Sequence, residues 1–160
     1  MHESRLMGGV HRAVVLAGPL LAIAVLCAGV ASADGPVQLK SRLGNWCLDA
    51  PSGNFNTATV INPCNGSQSQ LWNFDIPGRI QSVAFPGSCL TIGEVNEWLV
   101  TIVPCQMGGL QHWSMQPDGH ITNGILQCID VINGVANPGA LVIGLNCAIG
   151  GPGAEWDSVP

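Results

Sequence analysis

Residues 47–72 read CLDAPSGNFNTATVINPCNGSQSQLW. The stretch opens on Cys47-Leu48-Asp49, reaches a second cysteine at Cys64 and closes on Gln70-Leu71-Trp72. The same landmarks return as Cys89-Leu90, Cys105 and Trp113, and again as Cys128-Ile129, Cys147 and Trp156. Within each copy the second cysteine follows 16 to 19 residues after the first, and the tryptophan eight or nine residues after that. Equivalent positions recur every 39 to 43 residues, the mark of a fold that repeats one supersecondary unit. Smaller features keep the register: Ile61-Asn62-Pro63-Cys64 returns as Ile102-Val103-Pro104-Cys105, Gln70-Leu71-Trp72 as Gln111-His112-Trp113, and Gly78 as Gly119.

Between the landmarks, runs such as Thr57–Ile61, Leu99–Val103 and Leu141–Ile143 are β-branched or aliphatic and are bounded by Gly, Pro, Asn and Ser clusters. That is the pattern of short strands joined by tight turns. No sustained helical period follows the leader, and the 21 glycines and 11 prolines of the chain would interrupt one. The fold class is therefore all-β. A propeller blade also has about forty residues, but three blades fall short of the usual minimum of roughly four. Three units closing about a pseudo-threefold axis predict a β-trefoil, with repeats at about 36–76, 77–117 and 118–158.

The first 33 residues read as a secretory signal: Arg5 and Arg12 precede an apolar run over 13–30, and Ala31-Ser32-Ala33 supplies a small-residue cleavage site. The run reaches the lower length limit for a membrane span, but Gly18-Pro19 interrupts it. Cys27 follows Leu26 rather than the small residue usual before a lipid-modified cysteine, so it belongs with the removed peptide. The expected mature chain, residues 34–160, is one domain, secreted and with no direct membrane insertion. Its three basic residues (Lys40, Arg42, Arg79) face nine carboxylates, a net charge of −6, so no basic stripe exists for nucleic acid or anionic lipid.

Six cysteines remain, an even number in an exported chain, and are expected to be oxidised. Identical units should close identical loops, which selects Cys47–Cys64, Cys89–Cys105 and Cys128–Cys147 from the fifteen pairings open to six cysteines. Each bridge contributes about 3 kcal/mol through loop entropy. Zinc is not implied, because no CxxC pair occurs and His112 and His120 are the only histidines beyond the leader. Nor is calcium, since no loop clusters carboxylates; no cofactor is expected.

Three units of Cys-aliphatic, Cys and Trp, two of them ending in Gln-x-Trp, resemble the ricin-type lectin domain, also seen as family thirteen carbohydrate-binding modules. The resemblance covers about residues 36–158. It implies that Trp72, Trp113 and Trp156 are core residues, which agrees with one large indole every 41 to 43 residues on a three-sided core. It also implies a sugar pocket in each unit. There, an Asp two residues after the first cysteine accepts from hydroxyls, an aromatic two residues before the second cysteine stacks on the sugar, and an Asn-Gln pair precedes the tryptophan.

The first unit has Asp49 and Gln70, with Ser69 at the Asn position and Asn62 at the platform. Phe55 is the nearest substitute platform, if its loop folds over the pocket, while Trp46 is expected to fill core. The second unit keeps only Gln111, with Thr91, Leu110 and Val103 elsewhere, and is expected to be inactive. The third keeps Asp130 but has Leu145 at the platform and Ala154 for Gln, one residue further from its cysteine; Glu155 and Asn146 are its remaining polar candidates. The expected sugar contacts are thus Asp49, Asn62, Ser69, Gln70 and Asp130. Either aspartate can equally cap a turn through its own backbone amides.

Catalysis has little support: no Gly-x-Ser-x-Gly elbow occurs, the cysteines are committed, and Asp49 and Asp130 lie in separate units. The expected function is a secreted, non-enzymatic lectin for simple hexoses of galactose type on glycoproteins or glycolipids. The alternative is a trefoil that grips a protein with its loops, as inhibitor-like trefoils do. Asn65-Gly66-Ser67 matches a glycosylation sequon.

Overall fold

The computed structural model describes residues 35–75, 78–93, 98–123 and 126–160, so the expected secretory segment lies outside the described residues. Alternating apolar residues and turn clusters give strands only two to seven residues long. They are β1 (Val37–Ser41), β2 (Trp46–Asp49), β3 (Thr57–Ala58), β4 (Val60–Pro63), β5 (Leu71–Phe74), β6 (Ile80–Ser82) and β7 (Ser88–Ile92). There follow β8 (Val100–Pro104), β9 (Trp113–Met115), β10 (Ile121–Asn123), β11 (Gln127–Val131), β12 (Ala140–Asn146) and β13 (Trp156–Val159). Each unit supplies four strand positions. In the first unit the third is split into β3 and β4, because buried Thr59 turns aside to give both its N–H and its hydroxyl to the Val100 carbonyl, each at 2.9 Å.

The outer two strands of every unit form one closed wall. β1 pairs with β5 and β13, β5 with β6, and β9 with β10. The remaining seams are closed by the Trp113 N–H to the Gly78 carbonyl, the Trp156 N–H to the Gly119 carbonyl, each at 2.8 Å, and a bridge between His120 and Glu155. The inner two strands make hairpins that meet as a triangular cap: β4 pairs β12, β3 pairs β8, and Leu99 bridges Ile143. This is the β-trefoil, three units about a pseudo-threefold axis.

The core lies on that axis and shows the repeat most directly. Leu48, Leu90 and Ile129, each following a first cysteine, are fully buried. Their carbonyls accept the indole N–H groups of Trp72, Trp113 and Trp156 at 3.1, 2.9 and 3.0 Å. Each of these three indoles is therefore buried with its one polar atom satisfied. Trp46 packs partly buried against the same core. The three disulfides join Cys47 to Cys64, Cys89 to Cys105 and Cys128 to Cys147.

Candidate functional site

In β2, Leu48 points to the core, so period-two alternation turns its neighbours Cys47 and Asp49 to the opposite face. Cys47 and Asp49 lie opposite Asn62 and Val60 of β4. The Asp49 carboxylate is 6% exposed and held through one oxygen only: Oδ2 accepts from Asn62 Nδ2 at 3.0 Å and from Gln70 Nε2 at 3.2 Å. Its other oxygen, Oδ1, has no hydrogen-bond partner among the described residues. A buried acceptor left open in this way marks a place where a ligand hydroxyl or a water belongs.

Gln70, an expected sugar contact, is bonded extensively within the protein. It is fully buried, its Oε1 accepts from the Asn65 N–H at 2.9 Å, and its Nε2 also donates to the Pro63 carbonyl at 3.1 Å. Both N–H groups of the amide and one lone pair of its oxygen are used inside the protein, so Gln70 braces the pocket. Gln111 repeats the brace in the second unit, to Gln106 N–H and Pro104 carbonyl at 2.9 and 3.1 Å. Asn62 is also committed, because its Oδ1 accepts from the Gly139 N–H at 3.0 Å. Ser69 remains half-buried at the rim, sharing a 3.0 Å hydrogen bond with Ser67 while its carbonyl takes the Ala50 N–H.

Phe55 does not close the pocket. It is 67% exposed on a loop fixed to the second unit, by the Asn56 N–H to the Ile102 carbonyl and by Gly53 lying against the Phe85 ring. The second pocket is sealed: Thr91, Thr101 and Val103 are each 2% exposed or less, and Thr91 turns its hydroxyl toward the Leu110 carbonyl.

The third pocket is filled by the chain itself. The extra residue before Trp156 lets Gly150–Gly153 fold over Asp130, which is 4% exposed. A Cβ at Gly153 would stand 2.4 Å from Asp130 Oδ1 and 3.1 Å from the Val131 carbonyl, so a larger residue there would force Asp130 to shift. Ala154 is fully buried where the other units have their glutamine. The polar candidates nearby are engaged elsewhere: Glu155 pairs with Arg42 at 3.1 Å, and Asn146 accepts from the Ala148 N–H. Asp130 is thus an interior carboxyl packed against the glycine-rich turn, and its Oδ1, like that of Asp49, has no hydrogen-bond partner among the described residues.

Two measurable consequences follow from this packing. Gly153→Ala is expected to cost about 1–3 kcal/mol in a denaturant melt, as overpacking does. Much of that cost should vanish in an Asp130→Ala background, because the two side chains compete for one space. The second consequence concerns pH. Desolvation raises the Asp130 pKa above its ordinary 3.8, outweighing the Gly151 and Val131 amides and His120, which lower it. Folding then favours the protonated form, a contribution present in full below pH 3.8 and lost as pH rises through the raised value. Thermal melts should show Asp130→Asn more stable than the parent at neutral pH, with the difference shrinking as the pH falls into the carboxylate range.

Residues 35–156 match the ricin-type beta-trefoil lectin domain, most of the chain. The chain belongs to that family. An uncharacterized protein of Mycobacterium tuberculosis is 49% identical to this lectin-family chain over 160 residues, the whole of both. Among solved structures, the designed threefold-symmetric protein ThreeFoil superposes with a TM-score of 0.68 at 22% identity, over 79% of this chain and 99% of that one. The C-half of an earthworm R-type lectin, solved in complex with GalNAc, gives 0.67 at 19% identity, over 78% and 98%. A mosquitocidal holotoxin also gives 0.67, at 14% identity, and there the matched part spans only 17% of the longer chain. At these identities the solved structures establish the fold, while the domain match establishes the family.

The sequence did not disclose how Asn62 is held, nor the turn packed against Asp130. The signal for that turn was present in the longer spacing and in Gly150-Gly151-Pro152-Gly153. Nothing in sequence foretold that Gly139, from another unit, reaches Asn62.

Proposed function

We propose that this chain is a secreted, non-catalytic lectin that holds one neutral hexose, of galactose type, at the first unit. The observation that carries the reading is the Asp49 carboxylate, steadied through Oδ2 by two side-chain amides while the buried Oδ1 has no hydrogen-bond partner among the described residues; a sugar hydroxyl would supply that donor. Family membership and the sugar-bound earthworm neighbour support a carbohydrate as the ligand. The half-buried Ser67 and Ser69 at the rim supply further donors and acceptors.

Neutral sugars suit the site better than acidic ones. Arg42 is paired with Glu155 and Asp157, and Arg79 with Asp75, so neither is turned to Asp49. An acidic sugar would bring its negative charge to the Asp49 carboxylate, to which neither arginine is paired. One shallow site without an aromatic platform binds weakly, and useful avidity requires a densely glycosylated surface or several copies.

The protein-gripping alternative has one observation in its favour: Asn62, Val103 and Leu145 leave all three platform positions without an aromatic ring. A glycan array probed with the oxidised protein decides between them. Retention on neutral galactose-type glycans, and not on their sialylated or sulfated counterparts, is the expected result. A folded protein that stays on no glycan would end the lectin reading and turn the search to protein partners.

A further inference from the structure

We infer that Asn62, standing where the family pattern calls for a stacking aromatic, is a positioning residue that aims Asp49 and ties the pocket to the third unit. The inference rests on the first-unit site proposed above and assigns to Asn62 a part other than sugar contact.

Asn62 sits directly across from Cys47, so its side chain emerges on the face that Asp49 occupies. Its two polar atoms do opposite jobs. Nδ2 donates to Asp49 Oδ2 at 3.0 Å, and Oδ1 accepts from the Gly139 N–H at 3.0 Å. Turning the amide over would set oxygen against carboxylate and N–H against N–H, so the hydrogen-bond network itself fixes the orientation.

The donor from Asn62 and the donor from Gln70 fall on the same carboxylate oxygen. Both therefore hold the carboxylate through Oδ2 and leave the buried Oδ1 without a donor from the described residues. The other units serve as internal controls. The second has Val103 opposite Cys89 and no carboxylate to aim, because Thr91 stands in the place of Asp. The third has Leu145 opposite Cys128, which offers no donor, and there the carboxylate meets the Gly150–Gly153 backbone instead.

The tie to Gly139 reaches across a unit boundary. Gly139 ends the turn before β12, and its N–H is shared with the Ile61 carbonyl at 2.9 Å. Asn62 thus joins Asp49, β4 and the turn of the third unit in one chain of hydrogen bonds. With no ring in this place, recognition falls on hydroxyl contacts and the apolar face of the sugar stays uncovered.

The test is Asn62→Asp, which keeps an acceptor for the Gly139 N–H but removes the donor to Asp49. Two readouts are taken on the full mature protein: affinity for the best-bound monosaccharide, and the carboxyl carbon resonance of Asp49 in sugar-free, carbon-13-labelled protein. The expected result is at least a tenfold loss of affinity together with a moved Asp49 resonance, while the protein still melts cooperatively. Asn62→Ala, read the same way, covers the case in which the aspartate variant fails to fold. Unchanged affinity would overturn the inference. So would lost affinity with an unmoved Asp49 resonance, since Asn62 would then touch the sugar directly. Should the parent protein bind no sugar at all, the first-unit reading falls by itself, and the Asp49 resonance still decides whether Asn62 holds that carboxylate.

Discussion

Asp49→Ala is expected to remove sugar binding while leaving the trefoil folded. Hydrogen bonds to a charged acceptor are worth about 1.5–3 kcal/mol each, so one lost contact lowers affinity roughly tenfold to over a hundredfold. For a shallow single site this places binding beyond detection by titration calorimetry. The fold should tolerate the change, because Gln70 keeps its bonds to Asn65 and Pro63, and Asn62 keeps Gly139. Asp49→Asn is the stricter variant: it preserves shape, removes the charge and puts an N–H on one of the two oxygen positions. Calorimetry with a galactose-type sugar, beside a circular-dichroism melt, separates lost recognition from lost structure. Full binding by either folded variant would show that Asp49 does not receive the ligand.

The largest effect on stability is expected from Trp72→Ala. The indole is fully buried, and its N–H is the partner of the Leu48 carbonyl. Truncating a buried tryptophan costs about 3–5 kcal/mol, against a total stability of about 5–15 kcal/mol for an ordinary domain. Tm should fall by roughly 10–20 °C. Trp72→Phe should lose less, because a ring still fills most of the space, yet it leaves the Leu48 carbonyl short of a donor. The pseudo-threefold relation adds a sharper expectation: Trp113→Ala and Trp156→Ala should cost nearly as much, since their N–H groups meet Leu90 and Ile129 in the same way. Urea melts of the three variants check this, and a variant as stable as the parent would contradict the shared role.

Much of this architecture was legible because it is written three times. The spacing of cysteines and tryptophans carried fold class and disulfide pairing, since a feature that recurs with the same period points to one structural cause. Site chemistry was less legible because it depends on what breaks the repeat. Ala154 and the extra residue before Trp156 signalled that the third unit differs, but the consequence, a glycine backbone against Asp130, needs the path of the loop. Gln70 was read as a sugar ligand from its motif, which did not show that its Oε1 accepts from Asn65, five residues away, or that its Nε2 donates to Asp49 and Pro63. Phe55 was the candidate platform by proximity in sequence, yet the bonds that fix its loop run to β8 of the next unit. Contacts across unit boundaries are where sequence patterns say least.

The site also sets the valency. Asp49 Oδ1 and Asp130 Oδ1 are both buried without a hydrogen-bond partner among the described residues, but Thr91 and Val103 are buried in the second unit and Gly150–Gly153 pack against Asp130 in the third, which leaves Asp49 as the carboxylate of the proposed single site. On the proposed reading, a sugar enters at this first-unit site. An amide NMR titration of the oxidised protein with the sugar selected by the array decides this. Saturable shifts confined to the neighbourhood of Asp49, Asn62, 65–70 and Gly139, with one sugar bound per chain, are expected. Shifts centred on 126–153, or a second equivalent of sugar bound there, would contradict it.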